Sequence, residues 1–190
     1  MPRTVQLNLP TLLTLLRIAL IPVFVGLFFM SFQGVNLLCT ALFGLAALTD
    51  WLDGYLARRL NQTSAFGAFL DPVADKLMVV TALVLLVQAI PTPLMAVVAA
   101  IIIGREIAVS ALREWMAQIG SHRRVAVSMV GKFKTTVQMI AVLLLLYREP
   151  VWFFPTLEMG LGLLLVAATL TLWSMLHYLM AAWPALRQGA

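Results

Sequence analysis

The sequence predicts an all-α integral membrane protein, a six-transmembrane-helix bundle with both termini cytoplasmic. Three observations carry this reading. Of 190 residues, 62% are hydrophobic and only 11% charged, whereas an ordinary soluble domain is about 45–50% apolar and about 25% charged. The apolar residues fall into six runs, each near the ~20 residues that a helix needs to cross a bilayer. The basic residues gather on one side of the array, as the positive-inside rule requires. The same composition excludes a disordered chain, a nucleic-acid-binding domain and a disulfide scaffold. Cys39, the single cysteine, can form no intrachain bridge and reads as core packing.

The runs cover 12–30, 35–58, 71–90, 93–115, 127–147 and 157–183. Gly34, the Asn61-Gln62-Thr63-Ser64 run, Pro91 and Pro93, Gly120-Ser121, and Pro150 with Pro155 separate them. Arg3 ahead of a short apolar core resembles a signal peptide, but Ser31-Phe32-Gln33-Gly34 is a poor small-residue cleavage site. The first run therefore reads as a retained helix, and residues 1–10 as an interfacial segment. No internal repeat interrupts the pattern, so 1–190 is expected to form one membrane domain.

Of the Lys and Arg residues, only Arg148 falls in an odd-numbered connection. Arg3, Arg17, Arg58, Arg59, Lys76, Arg105, Arg113, Arg123, Arg124, Lys132, Lys134 and Arg187 fall on the side shared by both termini. That side is expected to be cytoplasmic. Its charge favours anionic headgroups and small anionic substrates.

The acids are more concentrated still. Asp50, Asp53, Asp71 and Asp75 are the only aspartates of the chain; the first two end the second run and the others open the third. Acids at the edge of a span are costly and by default mark a functional site. At 100° per residue, Asp50, Asp53, Gly54, Ala57 and Arg58 share an arc of roughly 140°, and Gly67, Asp71 and Asp75 one of roughly 80°. Carboxylates held together repel unless protonated, and a divalent cation removes that cost. An all-oxygen donor set without Cys or His suits Mg²⁺ or Mn²⁺ rather than Zn²⁺. A purely structural account also exists. Asp71-Pro72 reads as an N-cap with proline at the first helical position, and Asp50 and Asp53 as partners of Arg58 or Arg59. Convergence of four acids from two spans favours the functional account.

Asp50-Trp-Leu-Asp53-Gly54-Tyr-Leu-Ala57-Arg58, followed after eight residues by Gly67 and then by Asp71 and Asp75, matches DxxDGxxAR(x8)GxxxDxxxD in full. The chain thus resembles the CDP-alcohol phosphotransferases. The likeness extends to 8–17, 67–76, 105–115 and 131–136, which resemble bacterial members that use sn-glycerol 3-phosphate. It implies a six-helix bundle in the bacterial cytoplasmic (inner) membrane, forming a homodimer, with a polar cavity and two metal ions facing the cytoplasm. The implied substrates are CDP-diacylglycerol and sn-glycerol 3-phosphate, the products phosphatidylglycerophosphate and CMP.

The resemblance also implies roles. Asp50, Asp53 and Asp71 would be metal ligands, and Asp75 a ligand, the general base, or both. Asp53, Gly54, Ala57, Arg58 and Gly67 would bind CDP-diacylglycerol. Arg105, Arg113, Lys132 and Lys134 are assigned to glycerol phosphate, although they also read as snorkelling cations with Glu106 and Glu114 as partners. His122, Arg123 and Arg124 read as a loop facing anionic lipid, and His177 as helix packing. Three alternatives stand beside this reading. One is another acceptor, inositol phosphate or serine; another is an ion-coupled transporter, since intramembrane acids also mark ion pathways. The third is a membrane prenyltransferase, whose Asp spacing differs.

Overall fold

The computed structural model describes residues 8–60, 65–118, 129–151 and 153–188; within these, the side chains at 53–58, 113, 129–133 and 181–188, among others, lie outside the description. The described chain is six helices: α1 (Leu9–Phe28), α2 (Val35–Leu60), α3 (Ala65–Ala89), α4 (Pro93–Gln118), α5 (Met129–Tyr147) and α6 (Thr156–Gln188). There are no strands among the described residues, only an isolated bridge between Val151 and Phe154. The interfacial segment expected at 1–10 falls largely outside the described residues, α1 beginning at Leu9.

Among the described residues, three helices are long and apolar enough to cross a membrane, through Thr11–Phe28, Pro93–Leu112 and Thr156–Leu176. Shorter apolar stretches occupy Val35–Asp50 of α2 and Lys134–Tyr147 of α5. The chain is a multi-pass helical membrane protein.

The punctuation works where expected. Gly34 adopts φ +87° between α1 and α2, a conformation that side-chain-bearing residues resist. Thr92 caps α4, its Oγ1 accepting from the Met95 N–H at 3.2 Å, and Pro93 occupies the first helical position. The third helix departs from expectation. It begins at Ala65, so Asp71 and Pro72 lie inside it and the N-cap account of Asp71 is overturned. Residues 65–70 are apolar or small and continue the helix. Pro72 supplies no N–H to the carbonyl of Ala68, a loss that membrane helices tolerate where neighbouring groups compensate.

The chain divides into two compact units, Met1–Gln88 with Leu146–Glu149, and Ala89–Leu145 with Pro150–Ala190. In the first, α1 packs on α2. Phe24 lies against Phe43 with ring centroids 6.3 Å apart, and Cys39 is buried as a free thiol. Asn36 donates from Nδ2 to Glu149 Oε1 at 3.2 Å. The Arg148 guanidinium lies 5.0 Å from the Phe28 ring centroid. Burial lowers the proton affinity of that guanidinium, offset in part by Cys39.

In the second unit, α4 packs on α6. Met95, Val98, Ala99, Ile102, Arg105 and Val109 form its buried stripe on α4, at the three-to-four spacing of one helical face. Gly160 of α6 lies against α5: a Cβ there would stand 2.8 Å from Leu145 Cγ and 3.3 Å from the Ala141 carbonyl oxygen. Such close approach through small residues is how helices gain van der Waals contact in lipid, where no hydrophobic force drives them together.

Candidate active site

The first unit contains all four aspartates. Asp50 lies in the last three turns of α2, and Asp53 follows one turn on. Asp71 and Asp75 are one turn apart on α3. Asp50, Asp71 and Asp75 are all half-buried. The side chains of Asp53, Gly54, Ala57 and Arg58 lie outside the described residues; Gly67 is buried.

The carboxylates that lead the two halves of the motif are tied to one helix face. Arg17 of α1 donates from Nη1 to Asp50 Oδ1 at 2.5 Å. Thr14 donates from Oγ1 to Asp71 Oδ1 at 2.5 Å. Positions three apart on a helix lie side by side, so α1 presents both donors together. Asp50 is therefore paired with Arg17, a partner the sequence reading did not name; the side chains of Asp53 and Arg58 lie outside the described residues. Both donors are buried, Arg17 at 1% exposure and Thr14 at 0%.

Sequence reasoning passed over these two residues as site components, although a signal was present. Arg17 is the only charged residue in the first apolar run, and Thr11, Thr14 and Arg17 recur every three residues along it. All three are buried. A polar stripe that is buried on an otherwise apolar helix marks the face turned toward other polar groups.

The donor chemistry fits a hard divalent cation. Each carboxylate has two oxygens and about four lone-pair sites, and the contacts from Thr14 and Arg17 use one oxygen of each. Among the described residues no group of three or more His, Cys, Asp or Glu is gathered within metal-binding reach; the Asp53 side chain is not among them.

The cations assigned to glycerol phosphate belong to the second unit. Arg105 on α4 is 7% exposed and pairs with Glu106 through Nη2 and Oε1 at 2.6 Å, so one of the partners named by the structural account is present. Lys134 on α5 is 4% exposed and donates to Ser174 Oγ at 3.3 Å. Arg113 and Lys132 lie on α4 and α5, with side chains outside the described residues. His122, Arg123 and Arg124 also lie outside them, as does the side chain of His177.

A buried arginine bonded to a half-buried aspartate, and a buried threonine bonded to another, join one helix to two acid-bearing neighbours and define a polar centre. The chain belongs to the CDP-alcohol phosphatidyltransferase family, whose model matches residues 7–183. It is similar to proteins named CDP-diacylglycerol–glycerol-3-phosphate 3-phosphatidyltransferase. The Salmonella paratyphi A protein is 52% identical over 93% of this chain and 96% of its own length. The Pseudomonas fluorescens protein is 53% identical over 95% and 93%, and that of Pectobacterium atrosepticum 54% identical over 93% and 96%.

Proposed function

We propose that this chain transfers the phosphatidyl group of CDP-diacylglycerol to sn-glycerol 3-phosphate, giving phosphatidylglycerophosphate and CMP. The observation that carries the reading is the complete family signature, with the lead acid of each half bonded to α1, in a chain similar over nearly its whole length to proteins so named. The family match spans both compact units, which supports treating 1–190 as a single catalytic domain. Membership of a transferase family sets the transporter and prenyltransferase alternatives aside. The relatives' names favour glycerol phosphate over inositol phosphate or serine as acceptor.

In this reading Asp50, Asp53, Asp71 and Asp75 hold two divalent cations, Mg²⁺ or Mn²⁺. When bound, such ions neutralise phosphate charge and stabilise the leaving oxygen. Asp75 also takes the proton of the attacking glycerol hydroxyl as general base. The hydroxyl oxygen forms a bond to the lipid-linked phosphorus as the bond from that phosphorus to the CMP oxygen breaks, and CMP departs with the electron pair. Arg58 binds pyrophosphate oxygens with its planar fork. Gly54, Ala57 and Gly67 leave room for the cytidine diphosphate. Arg105, Arg113, Lys132 and Lys134 bind the phosphate of the acceptor. Six crossings, both termini and the site facing the cytoplasm, a bacterial inner membrane and a homodimer complete the proposal; the one-sided basic residues support its orientation.

The test supplies purified protein with CDP-diacylglycerol, Mg²⁺ or Mn²⁺ and a panel of acceptor alcohols, and follows CMP release. Release is expected with sn-glycerol 3-phosphate, to vanish on chelation and to return with added cation. No release with any acceptor would overturn the transferase reading; release with another alcohol alone would change the acceptor.

A further inference from the structure

Thr14 and Arg17 bond to carboxylates that are far apart in sequence, 57 and 33 residues away. An aspartate side chain has a broad terminal torsion, so a carboxylate held only by its own helix presents its oxygens over a range of directions. A donor fixed to one oxygen narrows that range and determines how the second oxygen is aimed. Thr14 suits this task because a β-branched side chain has few χ1 choices in a helix. Arg17 suits it because its guanidinium is planar and permanently charged. Both donors come from one turn of one helix, so the two carboxylates are held in a common frame.

We propose that Thr14 and Arg17 are positioning residues of the active site, each fixing one oxygen of a lead carboxylate so that the other is aimed at a bound divalent cation. This rests on the reading of Asp50 and Asp71 as cation ligands. Neither residue touches the reacting atoms; both act through the aspartates. Replacing a hydrogen-bond partner of a metal-ligating group costs about 10–100-fold in metal affinity. For Arg17 the expectation opposes simple electrostatics. Removing a positive charge beside a cation site strengthens cation binding if charge alone matters, whereas loss of positioning weakens it.

The experiment measures Mn²⁺ binding by electron paramagnetic resonance, on the full chain in detergent micelles without substrate. The variants are Thr14→Val, Thr14→Ser, Arg17→Met and Asp71→Asn. Thr14→Val is expected to weaken binding about 10-fold or more, with Thr14→Ser restoring most of it, and Arg17→Met to weaken binding as well. Unchanged affinity in Thr14→Val, or unchanged or tighter binding in Arg17→Met, would overturn the role of that residue. Should Arg17→Met fail to remain monodisperse, the near-isosteric Thr14 variants decide the proposal. A wild-type chain that binds no Mn²⁺, or an Asp71→Asn variant that binds it undiminished, would overturn the cation reading, and this inference with it.

Discussion

Lys134 donates from Nζ to Ser174 Oγ at 3.3 Å, joining α5 to α6. The serine hydroxyl donates its single proton to the Thr171 carbonyl at 2.9 Å, which leaves its lone pairs to receive the amine and sets the direction of that amine. If Lys134 binds the acceptor's phosphate, Ser174→Ala removes a bond worth about 1 kcal/mol. The Michaelis constant for sn-glycerol 3-phosphate should then rise about fivefold, with little change in kcat. CMP release at saturating CDP-diacylglycerol measures both, and a fall in kcat alone would show that the bond does not serve acceptor binding.

Asp75→Asn should leave a folded chain that binds CDP-diacylglycerol but turns over about 10²–10⁴-fold more slowly, the usual contribution of a general base. Near-normal CMP release from this variant would leave Asp75 as a ligand alone.

Arg113→Ala is expected to act mainly on the Michaelis constant for the phosphorylated acceptor. An unchanged constant in steady-state assays would make Arg113 one of the snorkelling cations.

Gly160→Ala should destabilise the chain by about 1–3 kcal/mol, the common cost of overpacking. The new methyl group meets Leu145 at 2.8 Å, and Leu145 is itself fully buried. Thermal unfolding in detergent would register the loss. Leu145→Ala removes a buried side chain and costs stability by itself, but because the two positions share one contact the double variant should lose less than the sum of the two single losses.

Arg148 has φ +58°, which costs a residue with a side chain roughly 1–2 kcal/mol, and its guanidinium faces the Phe28 ring. Glycine and alanine at 148 both remove the ring contact, but only glycine relieves the backbone. Arg148→Gly should therefore unfold at a higher temperature than Arg148→Ala.

Helix number and order were legible because crossing a bilayer demands a long apolar run, and the breaks at Gly34 and Pro91-Thr92-Pro93 carry their own backbone chemistry. The start of α3 was not. The Asp71-Pro72 pair imitates a helix start, whereas the helix already runs through 65–70 ahead of it. The acidic motif was legible from spacing, since 3.6 residues per turn place its members along one face. The partners of Asp50 and Asp71 were not, because helix periodicity speaks of neighbours within a helix. Nothing in a linear spacing assigns Arg17 to an acid 33 residues later.

That separation has a consequence for biosynthesis. Arg17 lies within the apolar stretch Thr11–Phe28, and an arginine at the centre of a lone membrane helix costs about 2.5–3.5 kcal/mol on insertion scales. Its carboxylate partner is synthesised only as α2 nears completion. The first helix therefore enters the membrane with an unfavourable charge that the second neutralises, so the two are favoured to insert as a hairpin. The ion pair that joins α1 to α2 in the finished protein is, during synthesis, a reason for these two helices to arrive together.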